Sequence, residues 1–194
     1  MNWTGQPTAS PLAPGSERFR VPKVAVPVRL LLEGGTLEEG HLHVLPQTAT
    51  GRERVADLLR ASDPFLPLTS GDDVVLVHKE RLVALVVGSA EEAGLPEAVP
   101  GEGRELTVEL LLCGLPPRRA RLSGVLHLDI SREPMRLLDF LNEVGDYVPL
   151  VTTEGVCLVS RHYIVSVRRA RPRPAPAPVH RRPARKAAAR RRKR

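Results

Sequence analysis

The sequence predicts an α+β fold, mainly β, built from two tandem β-β-α-β-β-β repeats that form small twisted sheets or barrels, with disordered segments at both ends. Three observations predict it. First, RVADLLRASDPFLPL (54–68) returns as RLLDFLNEVGDYVPL (136–150), and the match runs on without a gap as DDVVLVHKERLVAL against EGVCLVSRHYIVSV. The offset is 82, and nine of the 32 positions paired over 54–85 are identical, while eight others exchange one apolar residue for another. Such self-similarity is the mark of an internal duplication. Second, the apolar segments are short and rich in Val and Leu, as strands are. Third, the 19 prolines gather mainly at the two ends and in the linkers, where packed structure is disfavoured.

Each element follows in order. Val28–Leu32 is a short apolar run closed by the turn Gly34-Gly35, and it pairs in the repeat with VELLL (108–112). Gly40–Leu45 alternates, with Leu42 and Val44 on one face and His41 and His43 on the other, which predicts a half-buried strand. Its counterpart is GVLHLD (124–129). Thr50-Gly51-Arg52-Glu53 has the Ser/Thr-x-x-Glu form of a capping box. It predicts a short helix with Val55, Leu58 and Leu59 on one side. The second helix opens with Ser131, tolerates Pro134 in its first turn, and carries Met135, Leu138 and Leu141 as its stripe, with Leu137 beside it. Phe65–Thr69, Val74–Val77 and Leu82–Val87 complete the unit as strands, joined by the turns SGDD and HKER.

The predicted organisation is a disordered segment 1–23, a first repeat 24–88, a linker 89–105, a second repeat 106–168 and a disordered Arg-rich tail 169–194. A unit of about 60 residues buries too little surface to be robust alone. The two copies are therefore expected to pack on each other, across a pseudo-two-fold axis.

The pattern R-x-x-D-x-L followed by F/Y-x-P-L, after VRLLLEGG…EGHLHV, resembles an uncharacterised bacterial family of small β-rich domains. Arg54, Asp57, Leu59, Phe65 and Leu68 carry it in the first copy, and Arg136, Asp139, Leu141, Asn142, Tyr147 and Leu150 in the second. The first copy departs at Arg60, where the pattern has Asn. The resemblance covers 27–87 and 107–167 and implies no reaction. VRLLLEGGTLEEGHLHV and VLVHKERLVAL are also similar to the opening and closing strands of SH3/Sm-like barrels. The helix lies between strands two and three here, not before strand one.

Net charge is +7, unevenly distributed. Residues 168–194 hold 13 of the 29 Lys and Arg residues and no Asp or Glu, which leaves 16 basic and 22 acidic residues in the first 167. The body is thus mildly acidic and the C-terminal segment strongly basic, so whole-chain charge does not describe the fold. Arg far outnumbers Lys, in keeping with a GC-rich bacterial genome. Two cysteines make no disulfide framework. No secretory signal is legible at the N-terminus, and the longest apolar runs fall well short of the roughly 20 residues that span a bilayer. A cytoplasmic protein with no integral membrane segment is the expectation.

No catalytic, cofactor or metal site emerges. Arg54 with Asp57, and Arg136 with Asp139, are i, i+3 pairs whose structural reading, an ion pair or a loop-fixing hydrogen bond, outweighs a ligand site. His41, His43 and His127 lack the further ligands a metal requires. Cys157 replaces Val75 in a strand and reads as core, while Cys113 ends the LLL run; neither has a base and an orienting third group in sequence reach. No phosphate-cradling glycine loop is present, and PGEGRE (100–105) is an acidic linker.

The basic block is Arg181, Arg182, Arg185, Lys186, Arg190, Arg191, Arg192, Lys193 and Arg194, set off by the Pro-alternating RRARPRPAPAPVH (168–180). It is suited to neutralising phosphates. It has no aromatic for stacking on bases and no scaffold for reading a groove. Four readings stand: nonspecific nucleic-acid binding, contact with an acidic protein or with its own body, attachment to an anionic membrane, or compositional drift. The first leads. The expectation is a non-enzymatic binding protein without cofactor, whose duplicated body is an interaction module and whose tail binds nucleic acid. The rival is a scaffold or regulatory adaptor for protein partners. Oligomeric state is open.

Overall fold

A Val- and Leu-rich segment that alternates inward and outward residues forms a half-buried strand; one that is apolar throughout needs cover on both faces. Both kinds occur in the computed structural model, which describes residues 22–49, 51–95, 104–128 and 136–170. The strands are β1 (Val24–Leu32), β2 (Leu37–Val44), β3 (Phe65–Ser70), β4 (Asp73–His78), β5 (Leu82–Val87), β6 (Arg104–Leu112), β7 (Arg121–Leu128), β8 (Tyr147–Thr152), β9 (Gly155–Ser160) and β10 (Ile164–Arg169). The helices are α1 (Val55–Arg60), between β2 and β3, and α2 (Leu137–Glu143), between β7 and β8. The protein is mostly β, and its ten strands form one antiparallel sheet in the order β10-β6-β7-β8-β9-β5-β1-β2-β3-β4. Among the described residues, no helix is long and apolar enough to cross a membrane.

The sheet holds two cores. The first is filled from β1, β2, β3, β5 and α1, including Leu30, Leu42, Leu68, Leu85 and Val55, and it also takes Val156 and Leu158 from β9. The second is filled from β6 to β9, including Leu110, Leu126, Val148 and Leu150, and it takes Val83 and Ala84 from β5. β5 and β9 are the two central strands, and their runs LVALVV and VCLV are apolar at every position because each faces both cores. They pair as Ala84↔Val159, Leu85↔Leu158, Val86↔Cys157 and Val87↔Val156.

A two-fold axis would repeat the β5–β9 pairing as one between β10 and β4, which instead end the sheet. The junction joins the last strand of the first five to the fourth strand of the second five, so the halves meet head to tail and the expected pseudo-two-fold packing is corrected. The head-to-tail joining lets each half donate apolar side chains to the other's core. Further ties cross the seam. Gly34 N–H donates to the Gly114 carbonyl at 2.7 Å, and Arg29 pairs with Glu154 at 2.5 Å. Gly155, at φ 127°, lies so close to the Val87 carbonyl that a Cβ would stand 2.3 Å from its oxygen. A side chain there would push the two strands apart.

Gly40 in β2 and Gly124 in β7 have a different role from a turn. A Cβ at either would lie 2.3 Å from the Thr69 carbonyl oxygen or 2.5 Å from that of Val151, where the strand crosses the start of the next pairing.

The helices begin later than the sequence suggests. Glu53 does not cap α1; its carboxylate accepts the Leu45 N–H at 2.7 Å. The N-cap is Arg54, whose N–H is accepted by Asp57 at 3.0 Å, and Arg136 N–H is accepted by Asp139 at 3.1 Å in α2. The later start of α2 turns its stripe to Leu137, Phe140, Leu141 and Val144, while Leu138 is exposed. Thr50, Ser131, Pro134 and Met135 lie outside the described residues. The segment expected to be linker is packed at its start: Ala93 is buried against the first core, and the Glu92 carbonyl accepts Ala56 N–H at 3.1 Å. At its end Arg104 and Glu105 are already in β6, and Arg169, assigned to the tail, is the last residue of β10.

Leu158→Ala is expected to cost about 2–5 kcal/mol, read from urea unfolding. It should lower hydrogen-exchange protection in β1 and β5 as well as in β9, because Leu158 sits in the first core. Residues 22–95 expressed alone lack Val156, Leu158 and the partner of β5, and they are expected to give no single cooperative transition.

Candidate functional site

The hairpins β4–β5 and β9–β10 each turn through one 3₁₀ turn, Lys79–Arg81 and Arg161–Tyr163. Because β5 pairs with β9, both polar turns come to the same end of the seam. They line, with the loops that leave α1 and α2, an open cleft of about 970 Å³. Its other walls include Glu33, Asp63, Cys113, Asp146 and Tyr147.

The basic residue that opens each turn serves its own helix. Lys79 Nζ donates to the carbonyls of Leu58 at 2.6 Å and Ala61 at 2.7 Å, and the Arg161 guanidinium donates to the Val144 carbonyl at 3.3 Å. The last carbonyls of a helix have no partner within it and favour a cation. Desolvation lowers the Lys79 pKa, against the attraction of Asp63. Tyr163 is buried, and its hydroxyl donates to the Glu80 carbonyl of the other half at 2.6 Å. Burial raises its pKa first, with Glu33 adding to the rise. Arg81 pairs with Glu33, whose hydrogen bond raises the guanidinium pKa. Tyr147, half-buried, is pushed up to about 12, chiefly by burial.

Lys79, Arg161 and Tyr163 are each held by a backbone carbonyl. Cys113 is exposed, and its thiol donates to the Tyr163 carbonyl at 3.4 Å rather than to a base. His162 lies edge-on to Tyr163 with ring centres 5.3 Å apart, and His78 Nδ1 accepts the Glu80 N–H at 3.2 Å. Both cations and carboxylates line the cleft, so it lacks the single-sign field that draws a phosphate. A second cleft of about 530 Å³ lies over β1, β2 and β5 and includes Arg29, Glu39, His41 and Glu154.

The sequence candidates fall as follows. Asp57 and Asp139 are helix-capping carboxylates; Asp57 also pairs with Arg60 at 3.4 Å, not with the Arg54 side chain. Arg54 and Arg136 contribute their backbone N–H groups, which any residue but proline supplies. His41 is exposed, His43 meets Thr69 Oγ1 at 3.0 Å, and His127 stands 3.9 Å from Glu105. β2 and β7 are separated in the sheet by four strands, so these histidines do not converge. Among the described residues no three metal-ligating side chains come together. Cys157 is buried as expected of a core residue, and burial pushes its thiol up to about 12. Arg181, Arg182, Arg185, Lys186, Arg190, Arg191, Arg192, Lys193 and Arg194 lie outside the described residues. The roles of Lys79 and Tyr163 were not legible in the sequence, because each depends on a partner brought by tertiary packing.

Asp57→Ala is expected to cost about 0.3–1.5 kcal/mol by thermal unfolding, and Arg54→Ala much less; equal losses would contradict the capping role. Cys113 should react with a thiol reagent in the folded state, and Cys157 only on unfolding. Above pH 9 the unfolded chain ionises Cys157 while the folded one does not, and above pH 10 the same holds for Tyr147. Stability is therefore expected to fall between about pH 9 and 12, by roughly tenfold in folded-to-unfolded ratio per pH unit for each group. Cys157→Val should remove the earlier part of that fall. Comparison with protein-family models, with curated proteins and with solved structures finds no match for this chain.

Proposed function

We propose that this chain is a non-enzymatic binding protein: two tandem β-β-α-β-β-β repeats, each a small barrel-like unit related to the other by duplication, that carry a basic C-terminal segment for polyanions, nucleic acid foremost. The observation that carries the reading is charge segregation, with 13 basic and no acidic residues from 168 to 194 after an acidic body. Five of the body's own arginines support it by contrast. Arg29, Arg52, Arg60, Arg81 and Arg121 each face a carboxylate, respectively Glu154, Glu91 with Glu92, Asp57, Glu33 and Glu109. Cations neutralised in this way add little to a phosphate-binding field, and 11 of the 13 basic residues counted from 168 onward follow β10 in the sequence. The duplication is supported by the recurring element order and by equivalent roles at Gly40 and Gly124, Asp57 and Asp139, Lys79 and Arg161. The second reading, an adaptor for protein partners, is favoured by exposed apolar residues on the edge strand β4, where an extended segment of another protein would add.

The test is DNA and RNA binding by the full chain and by a chain cut after Ala170, which leaves β10 whole. If about six of the charges engage phosphates, affinity should fall roughly a thousandfold between 50 and 200 mM salt. The cut chain should lose it. Equal, weak binding by both chains would overturn the nucleic-acid reading and leave the adaptor.

A further inference from the structure

Among the described residues, β4 and β10 each pair on one side only and end the sheet. They are the counterparts, at the offset of 82, of the two strands that form the junction: β4 of β9, and β10 of β5. At the junction Val156 and Leu158 of β9 are 4% and 2% exposed because they enter the core across the seam. Their counterparts Val74 and Leu76 in β4 are 62% and 66% exposed. On the other side Val83 of β5 is fully buried, and its counterpart Val165 in β10 is 59% exposed. The same positions are thus dry where the contact is made and wet where it is not. An apolar, unpaired edge is a template for another strand.

We infer that β4 and β10 are the two sides of one head-to-tail interface, and that a second copy of this chain occupies each: β10 of one chain pairs antiparallel with β4 of the next. Carrying the junction register over sets Val74 opposite Arg169, Val75 opposite Arg168, Leu76 opposite Val167 and Val77 opposite Ser166. Charge follows. At the junction Glu154 meets Arg29, which lies in β1 beside Val86 of β5. At the free edges the acid is Asp72, and the residue in the place of Val86 is Arg168, beside Glu109 of β6. The cation has moved one strand outward, and an acid of the β4 turn still finds an arginine. Asp73 stands where the junction has Gly155, whose missing Cβ allows the closest approach to Val87. The ladder between chains therefore starts at Val74, and the contact is weaker than the internal one and depends on concentration. Because the two surfaces differ, the contact is heterologous, which builds rings or filaments rather than two-fold dimers. Of the basic segment it uses only Arg168 and Arg169, which lie in β10, and it needs none of the basic residues beyond β10.

The experiment is the solution mass of the full chain, nuclease-treated and in high salt so that no polyanion bridges chains, measured by light scattering across a concentration series. Wild type is expected to exceed the mass of one chain. Leu76→Lys blocks the head and Val165→Lys blocks the tail; both residues are exposed, so folding should be kept, as checked by circular dichroism. Val74→Lys replaces Leu76→Lys if that variant is unfolded, and Arg168→Glu replaces Val165→Lys. Each blocked variant retains one free surface of the opposite kind and is expected to be a single chain alone. Mixed, they should form a one-to-one pair of two chains and no larger species. A monomeric wild type at every concentration overturns the proposal. So does assembly that only one of the two blocks abolishes, or two blocked variants that fail to pair, since these are the signs of like-to-like contact or none.

Discussion

The pairing of β5 with β9 is the constraint on which the rest depends. Their central runs, LVALVV in β5 and VCLV in β9, are apolar throughout, so neither is stable at the edge of a half-sheet with one face in water. Joined, they bury Val83 and Ala84 in one core and Val156 and Leu158 in the other. A side chain removed from either strand is felt in two places. The close approach at Gly155, the ion pair of Arg29 with Glu154 and the hydrogen bond from Tyr163 to the Glu80 carbonyl all lie along this seam, and each orients groups that would otherwise belong to separate small units. Small units bury a modest fraction of their surface, and sharing core residues is how this chain offsets that limit.

Around the seam, polar groups close helices. Each helix is only six or seven residues long, too short to be stable without help at its ends. Asp57 and Asp139 satisfy the first turn, and Lys79 and Arg161 satisfy the last carbonyls. These groups hold the loops that wall the larger cleft. The conspicuous sequence motif R-x-x-D is therefore a folding device, and the cleft it supports carries mixed charge without a paired nucleophile and base.

Charge divides the chain more sharply than structure does. Within the described sheet most ion pairs are local neutralisations between neighbouring strands or loops, such as Arg121 with Glu109 across β6 and β7. Exposed pairs of this kind contribute little to stability. Their consequence is electrostatic: they neutralise charge within the body, while the sequence places 11 basic and no acidic residues after β10. The edge strands of the sheet carry exposed apolar side chains, Val74 and Leu76 on β4 and Val165 on β10.

The strand positions, both helices, the turns and the burial of Cys157 were legible in the sequence, because alternation, Gly turns and Val/Leu runs act over a few residues. Strand ends shifted by a few positions, as at β1, where Val24 to Pro27 pair with β2 although Pro interrupts the run. Helix starts were misplaced, because Thr50 and Glu53 form a good cap on paper while Asp57 reaches the N–H that decides it. The segment 89–95 looked like linker, since a buried Ala93 depends on α1 lying beneath it. By itself the sequence determined that this is a mainly β chain with an acidic body and a basic end. Only the tertiary structure decided that the halves join head to tail. A continuous apolar run demands cover on both faces but does not name the strand that provides it; that choice belongs to the geometry of two cores meeting at one seam.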